Sequence, residues 1–266
     1  MRLQQWLSEA TARLSAAGVA SASLESKLIA GHVLLVDRTW IVTHPEHEIE
    51  PINFEQVLQR RENQEPLAYI LGFREFFGRR FRVDPNVLIP RHETEVLVEE
   101  VLKLGPAPLD VLDVGTGSGC IAITLKLERP EWNITACDIS GGALQIAREN
   151  AETLGAEVTF RHSDLLEAFE AGSVDVIVSN PPYIDPSESL PVEVRSFEPH
   201  TALFGGLEGM ELYQRLRLDA PRVLRPGGRV FLEIGQTQAD AIRELFEGAE
   251  IVKDLDGNDR VAIWQV

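Results

Sequence analysis

The sequence is poor in cysteine and lacks long apolar runs. Its two cysteines, Cys120 and Cys137, stand in apolar segments. Two such residues make neither a disulfide framework nor a zinc site, so we expect both in the core and no metal in the protein. No stretch reaches the roughly 18 consecutive apolar residues of a membrane span, and the first residues lack the pattern of a secretory signal. These absences predict a cytoplasmic globular protein.

Positive charge is also scarce. The 266 residues include 25 Lys and Arg against 42 Asp and Glu, a formal net charge of −17. Such a chain repels a polyanion at long range, so nucleic acid is disfavoured as its main partner. Glycine and proline are too few for a fibrous protein, and a hydrophobic content of 44% is too high for disorder. The length suits one large domain, with or without a small one.

The apolar pattern changes partway along the chain. Up to about residue 71, apolar residues recur at helical spacing between glycine and proline breaks, which predicts a small helical bundle. Residues 73–90 are rich in aromatic and β-branched residues around Gly78-Arg79, which predicts a β-hairpin linker. The chain then alternates short apolar runs with helical stretches, which predicts a mostly parallel sheet covered on both faces. The predicted domains are therefore 1–72, 73–90 and an α/β domain at 91–266.

Seven strands and four helices are predicted in the α/β part. The strands are Asp110–Val114, Ile134–Asp138, Val158–Arg161, Val174–Ser179, Arg229–Ile234, Ile251–Leu255 and Val261–Val266. The helices are Cys120–Leu127, Gly142–Leu154, Glu211–Leu224 and Gln238–Phe246. Asp256-Gly257 between the last two strands is a hairpin signal, so we expect the last strand to be antiparallel. A parallel sheet that ends in such a hairpin differs from the all-parallel half of a standard dinucleotide-binding domain.

A glycine-rich turn, Gly115-Thr116-Gly117-Ser118-Gly119, follows the first of these strands. Its glycines let the backbone turn sharply and let a ligand approach without a β-carbon in the way. The next strand ends in an acidic residue, Asp138, whose carboxylate can accept hydrogen bonds from both hydroxyls of a ribose. The alternative is a tight strand–helix turn without a ligand. If a ligand is bound, it should carry a ribose.

The spacing of the glycines favours one ribose ligand over another. A nicotinamide dinucleotide usually pairs with G-x-G-x-x-G, in which a helix N-terminus meets the pyrophosphate, whereas here the third glycine comes one residue early. S-adenosylmethionine has no phosphate and carries a cationic sulfonium, which suits an acidic protein. Methyl transfer is therefore favoured, with a dehydrogenase as the alternative. After the third strand, Asp164 can receive the exocyclic amine of adenine while Leu165 packs on its ring, although a helix-capping Asp fits equally well.

A chemically unusual loop, Asn180-Pro181-Pro182-Tyr183, lies at the carboxyl end of the fourth predicted strand. Ligands gather outside such strand ends in an open parallel sheet. The prolines have no amide hydrogen, so the loop offers acceptors, among them the Asn180 side-chain oxygen and the Pro181 carbonyl. Two acceptors side by side match an NH₂ group, and Tyr183 provides a flat wall for a planar amide or base. An ordinary proline-rich turn is the alternative.

These residue types suit methylation of an amide or aromatic amine. The nitrogen of such a group is a poor nucleophile because its lone pair is delocalised. Accepting hydrogen bonds from both N–H groups returns electron density to the nitrogen and stabilises its developing positive charge. Alignment of the nitrogen behind the methyl carbon supplies the remaining advantage. We expect neither a strong general base nor a metal to be needed.

The chain resembles the peptide chain release factor glutamine N5-methyltransferase family along nearly its whole length. The matching segments are Glu65-Pro-Leu-Ala-Tyr-Ile-Leu-Gly72, Val87-Leu-Ile-Pro90-Arg91 with Glu93-Thr-Glu95, Asp113-Val-Gly-Thr-Gly-Ser-Gly-Cys120, Asn180-Pro-Pro-Tyr-Ile184, Glu198-Pro199, Ala202-Leu-Phe-Gly205-Gly206, Glu233-Ile-Gly235 and Asp256-Gly-Asn-Asp-Arg260. The helical N-terminal domain and the hairpin linker fit that family too. One departure is His92, where the family usually has proline.

The resemblance implies a Rossmann-like methyltransferase that uses S-adenosyl-L-methionine and releases S-adenosyl-L-homocysteine. Its substrate would be the glutamine amide in the Gly-Gly-Gln loop of class I release factors, gripped by the N-terminal helices. The residues from Gly115 to Gly119 would line the cofactor, Asp138 would take the ribose, and Leu165 would lie near the adenine. Asn180 would touch both cofactor and substrate, and the loop to Tyr183 would cradle the glutamine.

Other readings stay open at this stage. A nucleic-acid amino-methyltransferase would have a similar loop, although the net charge of −17 and the lack of a Lys/Arg-rich tract argue against it. A binding module without turnover is disfavoured by the intact Asn180 loop. We expect His92 to be a surface or capping residue, Glu93, Glu95 and Glu233 to be weaker pocket candidates, and the protein to be a monomer.

Overall fold

The computed structural model describes all residues from 1 to 266. The chain forms two compact units. The first consists of Met1–Phe73 with Leu190–Phe197, and the second of Arg74–Ser189 with Glu198–Val266.

The first unit is built from helices, which confirms the predicted bundle. They are α1 (Leu3–Ala16), α2 (Ala22–Leu34), α3 (Arg38–Thr43), α4 (Ile52–Glu62), α5 (Leu67–Leu71) and, from the later segment, α9 (Val192–Phe197). Trp6 and Phe54 pack in its core with ring centroids 4.7 Å apart. Arg61 is buried beside this core and pairs with Glu25 at 2.6 Å. The apolar spacing of the helices thus accounts for the bundle. The carboxylate of Glu25 compensates the buried charge of Arg61, which would be costly without a partner.

A β-hairpin opens the second unit at the predicted place. Strands β1 (Phe73–Phe76) and β2 (Arg79–Arg82) pair on either side of Phe77-Gly78, both of which have positive φ. Phe76 and Phe81 are buried in the core of the second unit. Asn150 accepts a hydrogen bond from the Arg82 amide at 2.7 Å and donates one to the Arg82 carbonyl at 3.0 Å. The hairpin is therefore part of the packed α/β unit and not a free tether.

The second unit has a seven-stranded sheet of order β5-β4-β3-β6-β7-β9-β8. Its strands are β3 (Asp110–Val114), β4 (Asn133–Asp138), β5 (Thr159–His162), β6 (Val174–Ser179), β7 (Leu224–Glu233), β8 (Glu250–Lys253) and β9 (Asp259–Gln265). The strands from β3 to β7 pair in parallel, and β9 is antiparallel to both β7 and β8. The predicted mostly parallel sheet with an antiparallel last strand is confirmed. That strand lies one place inside the edge, which is β8.

Helices cover both faces of this sheet. They are α6 (Thr94–Leu102), α7 (Cys120–Glu128), α8 (Gly141–Leu154), α10 (Glu211–Val223) and α11 (Ala239–Leu245), with short 3₁₀ turns at His200–Ala202 and Leu207–Gly209. The sequence analysis missed α6, although its apolar residues have helical spacing. It also placed the start of β7 at Arg229, five residues late. The strand begins at Leu224, which pairs with Val174, and a shift in register follows before Arg229 pairs with Val176.

The order of the strands fixes where the chemistry can lie. The chain runs outward from β3 to β4 and β5, and then crosses to β6 on the other side of β3. In an open α/β sheet this reversal leaves a crevice at the carboxyl ends of the two central strands, where ligands bind. The glycine-rich turn follows β3 and the Asn180 loop follows β6, so both open onto this crevice.

Candidate active site

The glycine-rich turn uses its backbone amides inside the protein. The amides of Gly115 and Thr116 both donate to the Cys137 carbonyl at 2.9 Å, and the amide of Gly117 donates to Asp138 Oδ2 at 2.9 Å. Gly115 and Gly117 have φ values of 73° and 55°, and a β-carbon at either would meet nothing within 4 Å. The turn therefore presents an open surface to a ligand, but it does not offer these amides as a phosphate cradle.

A buried carboxyl group supports this turn from below. Asp113 is fully buried at the end of β3, and its Oδ2 accepts hydrogen bonds from Thr116 Oγ1 at 2.6 Å and the Ala122 amide at 3.2 Å. Its Oδ1 has no partner. Burial raises the pKa of Asp113 to about 7. The hydrogen bonds join the end of the strand to the first turn of α7 and draw the Thr116 hydroxyl inward.

The last residues of the turn serve packing. The Ser118 carbonyl accepts a hydrogen bond from Asn150 Nδ2 at 2.9 Å. A β-carbon at Gly119 would lie 2.8 Å from Ile123 Cδ1 and 3.2 Å from Ala147 Cβ, so this glycine allows α7 and α8 to approach closely. Thr116, Ser118 and Gly119, which we predicted to line the cofactor, are not on the cavity wall. The sequence could not separate glycines that face a ligand from a glycine that faces a helix.

A cavity of about 340 Å³ opens at the crevice, a size typical of small-molecule sites. The predicted residues on its wall are Gly115, Gly117, Asp138, Asp164, Leu165, Asn180 and Pro182. The sequence analysis missed further wall residues, namely Asn86, Val87, Leu88, Ile139, Ser140, Ala143, Ser163, Thr201, Ala202, Phe204, Leu212 and Arg215. Ile139 carried the clearest signal, because it is an apolar residue that directly follows the acidic end of a strand.

The acidic residues on this wall are held in place. Asp138 accepts hydrogen bonds from the Gly117 and Ser140 amides, and burial raises its pKa. Asp164 pairs with Arg215 on α10 at 2.9 Å. Leu165 has a positive φ of 46°, and its carbonyl accepts a hydrogen bond from Ser163 Oγ at 3.0 Å. A positive φ is strained for leucine, so the surrounding turn imposes this placement of its side chain on the cavity wall.

The Asn180 loop lies beside the cavity with its side chains oriented by distant residues. Asn180 Nδ2 donates to Thr94 Oγ1 at 3.2 Å. Pro181 is buried, and the Tyr183 hydroxyl donates to Glu233 Oε1 at 3.4 Å. Gln238 Nε2 donates to the Tyr183 carbonyl at 3.1 Å. The bond to Thr94 uses the donor side of the Asn180 carboxamide and leaves its oxygen for other partners.

Two glycines brace the same loop through close backbone contact. The Ile184 amide donates to the Leu203 carbonyl and the Gly205 amide to the Ile184 carbonyl, both at 3.0 Å. A β-carbon at Gly205 would lie 2.3 Å from the Pro182 carbonyl oxygen, and one at Gly209 would lie 1.9 Å from that of Tyr183. The segment after the first 3₁₀ turn therefore fits against the loop only because these residues lack side chains.

Glu233 is the buried acid of this region. It is 1% exposed, its Oε2 has no partner, and burial raises its pKa to about 7. Glu95 instead accepts a hydrogen bond from the Phe77 amide at 2.8 Å. The His92 side chain is 69% exposed, with its Nδ1 3.5 Å from Glu95 Oε1. His92 is thus a surface residue, and Glu233 is the acidic candidate in contact with the loop.

The structure contains no group of three or more His, Cys, Asp or Glu residues arranged to hold a metal ion. Both cysteines are buried and unpaired, and burial raises the pKa of each thiol to about 12. No helix is long and apolar enough to cross a membrane.

Comparison with known proteins decides the family. The model of the PrmC N-terminal domain matches residues 5–72, and that of the methyltransferase small domain matches residues 92–197. A release factor glutamine methyltransferase from Koribacter versatilis is 46% identical over 99% of this chain and 98% of its own. The chain belongs to the release factor glutamine methyltransferase family. The protein is therefore a methyltransferase, and its cofactor is S-adenosylmethionine.

Solved structures show the same fold at low identity. A methyltransferase from Pyrococcus furiosus is 20% identical, with a TM-score of 0.55 over 80% of this chain and 98% of its own. A 16S rRNA methyltransferase from T. thermophilus, solved with AdoMet and guanosine, is 19% identical, with a TM-score of 0.53 over 73% of this chain and 49% of its own. At this identity the likeness concerns the Rossmann-like fold alone.

Proposed function

We propose that the protein methylates the side-chain amide nitrogen of the glutamine in the Gly-Gly-Gln motif of class I release factors. The observation that carries this proposal is the orientation of Asn180. Its carboxamide gives its N–H to Thr94 at 3.2 Å and keeps its oxygen as an acceptor beside the cavity. The neighbouring Pro181 contributes a carbonyl and no amide hydrogen. Together they fit a primary carboxamide, which has two hydrogens to donate.

The cavity residues fit S-adenosylmethionine better than a dinucleotide. Because the amides from Gly115 to Gly117 are bonded inside the protein, the turn suits a ligand without phosphate. Asp138 would hold the ribose, and Asp164 with Leu165 would hold the adenine, with Ile139 as a further apolar contact. When bound, S-adenosylmethionine supplies an electrophilic methyl group on a sulfonium. These assignments predict that cofactor affinity depends on Asp138 more than on Thr116 or Ser118, whose side chains are buried.

The Asn180 loop would then activate the substrate. Asn180 Oδ1 and the Pro181 carbonyl accept the two amide hydrogens, and the Tyr183 ring packs against the flat face of the substrate carboxamide. Acceptors aimed at a nitrogen that gains positive charge stabilise the transition state more than the ground state. Rigid bracing by Gly205, Gly209 and Gln238 keeps the loop preorganised, so little reorganisation is needed during the reaction. The N-methylated amide cation would give its extra proton to water after the transfer, so no strong base is needed.

The experiment that tests this function uses methyl-labelled cofactor and three acceptors. They are a class I release factor, the same factor with the motif glutamine changed to alanine, and bare ribosomal RNA. We expect label on the unaltered release factor alone, with mass spectrometry placing one methyl on the glutamine amide. Label on the RNA alone, or equal label on the alanine variant, would contradict the proposal.

The remaining parts of the proposal concern the setting of the reaction. The N-terminal helices of residues 1–72 would bind the protein substrate, and the protein would act as a monomer in the cytoplasm. Nucleic acid would not be its main partner, because a net charge of −17 opposes binding of a polyanion. Size-exclusion chromatography with light scattering tests the monomer, and a salt titration of RNA binding tests the exclusion of nucleic acid.

A further inference from the structure

A chain of polar side chains runs behind the Asn180 loop. Asn180 Nδ2 donates to Thr94 Oγ1 at 3.2 Å, and the Thr94 hydroxyl lies near enough to the Glu233 carboxyl to oppose the burial that raises its pKa. The Tyr183 hydroxyl donates to the same carboxyl at 3.4 Å. Thr94 and Glu233 are both buried, at 2% and 1% exposure. The chain therefore connects the two ends of the loop to one buried acid out of contact with solvent.

The order of donors and acceptors in this chain depends on the charge of the acid. An ionised carboxylate only accepts, so Thr94 must donate its single hydrogen to Glu233 and accept from Asn180. Asn180 then has to turn its NH₂ toward Thr94 and its oxygen away. A protonated carboxyl can donate to Thr94, which frees the Thr94 hydrogen to bond the Asn180 oxygen. That reversal would turn the Asn180 NH₂ toward the substrate amide, where two donors would face each other.

We propose that Thr94 and an ionised Glu233 are positioning residues that fix the Asn180 carboxamide with its oxygen toward the substrate. This inference rests on the proposed glutamine methylation, and it assigns a role to two residues that do not themselves touch the reacting atoms. Its consequence is that protonation of Glu233 lowers activity by reversing the donor–acceptor order and not by removing a base.

Several charged and titratable groups face Glu233 from the surrounding elements. Tyr183 comes from the loop after β6, Glu93 from the residue before α6, Arg260 from β9 and Tyr213 from α10, whose hydroxyl donates to the Glu233 carbonyl at 2.8 Å. Arg260 favours the ionised form, but Asp254 holds its guanidinium at 3.1 Å. Burial is the largest influence and raises the pKa of Glu233 to about 7. The switch of orientation is therefore expected near neutral pH.

The direct test removes the hydroxyl that joins the two ends. Thr94→Val keeps the shape of the side chain, and we expect kcat to fall roughly 100-fold, as misplacement of a reacting group does. Thr94→Ser is the matched control, because it keeps the hydroxyl and should restore most of the activity. Calorimetry should show the same Kd for S-adenosylmethionine in both variants. A Thr94→Val enzyme with the wild-type kcat would overturn the proposal.

The pH profile separates orientation from structural support. The wild-type kcat should rise with pH to a plateau, with a midpoint near the pKa of Glu233. Glu233→Gln cannot ionise, so its acid limb should vanish while the plateau falls about tenfold, because glutamine can present either group to Thr94. A merely structural role would lower the rate at every pH and keep the limb. Persistence of the wild-type limb in Glu233→Gln would overturn the role of the charge.

An NMR titration reads the orientation without turnover. The Asn180 side-chain NH₂ resonances, assigned by their loss in Asn180→Ala, should shift with the same midpoint as the Glu233 carboxyl carbon. In Thr94→Val the two titrations should uncouple. If wild-type Asn180 ignored the titration of Glu233, the proposed coupling would be wrong. If the coupling were present but no glutamine were methylated, the proposed function would fail and the positioning chain would stand.

Discussion

The two loops that open onto the crevice achieve their shape by opposite means. The turn from Gly115 to Gly119 bends because three of its residues adopt positive φ. One of its supports, Asp113, directly precedes it, and the other, Asp138, ends the next strand of the sheet. The loop from Asn180 to Tyr183 is stiff because of its prolines. Its side chains and backbone are held by Thr94, Glu233 and Gln238, which are 86, 50 and 55 residues away from the groups they bond, and Gly205 and Gly209 pack against it.

This difference reflects what each loop has to do. A cofactor site needs an open backbone surface, which small residues with local hydrogen bonds provide. A site that activates a weak nucleophile needs acceptors held in one orientation, and a side-chain carboxamide acquires that orientation only from partners around it. Damage to the first loop should therefore appear in cofactor affinity, and damage to the second in the rate of transfer.

The sharpest way to break this comparison is Asn180→Ala. Loss of one preorganised hydrogen-bonding group at a transition state costs about 100- to 1,000-fold in kcat, and we expect a loss at the upper end of that range. The free energy of unfolding should change little, because Asn180 lies at a cavity wall. Transfer of labelled methyl to a release factor measures the effect. Turnover close to the wild-type rate would refute the role of Asn180.

The second prediction concerns the buried carboxyl groups beneath the two loops. The pKa of Asp113 and of Glu233 is raised to about 7 in the folded protein. For such groups, stability is greatest below the unfolded pKa and is lost as pH rises through the folded pKa. Between about pH 4.5 and 8, each of Asp113→Asn and Glu233→Gln should therefore gain up to about 3 kcal/mol relative to wild type.

Urea denaturation across that pH range measures this relative gain. Comparing differences between pH values cancels the constant cost of placing an amide in a buried site. If the difference in the free energy of unfolding between variant and wild type did not change with pH, the acid would have the same pKa in the folded and unfolded chains, and the prediction would be wrong.

A smaller effect is expected from Asp138→Ala in the first loop. It removes the carboxylate that bonds the Gly117 and Ser140 amides and that we assign to the ribose. Loss of hydrogen bonds to a charged group costs about 2 kcal/mol, or roughly 30-fold in Kd for the cofactor. Calorimetry with S-adenosylmethionine measures the loss, and kcat at saturating cofactor should fall much less. Unchanged cofactor binding would rule out the ribose contact.

The smallest effect comes from a matched pair of glycines. Gly209→Ala places a β-carbon 1.9 Å from the Tyr183 carbonyl oxygen, whereas Gly248→Ala has a similar positive φ with nothing within 4 Å. Both variants carry the backbone strain, and only the first displaces the Asn180 loop. We expect Gly209→Ala to lose about 1–2 kcal/mol more in the free energy of unfolding and to lower kcat. Equal stability and equal kcat in the two variants would show that the segment does not brace the loop.

The same contrast explains how much the sequence could predict. The order of strands and helices, the parallel sheet and the antiparallel last strand follow from apolar spacing and turn residues, which act over short distances. The place of both loops followed as well, because the carboxyl ends of parallel strands meet at one edge. Gly115, Gly117 and Asp138, which the local pattern predicted to bind the cofactor, lie on the cavity wall.

The parts that could not be predicted depend on tertiary contacts. Nothing in the sequence near Asn180 indicates that Thr94 takes its NH₂, or that Glu233 lies beyond Thr94. Ser118 and Gly119 belong to the same motif as the wall residues, yet they serve packing because α7 and α8 cross there. The segment that includes Asn86 to Leu88 was predicted to be part of a linker, and only the folded structure shows that it lines the cavity.

The most direct test of the account is a crystal structure with S-adenosylhomocysteine and a glutamine peptide bound. We predict that the glutamine amide nitrogen lies within hydrogen-bonding distance of both Asn180 Oδ1 and the Pro181 carbonyl oxygen and faces the sulfur of the product. A structure in which the amide binds elsewhere, or in which the Asn180 NH₂ points at it, would contradict the account.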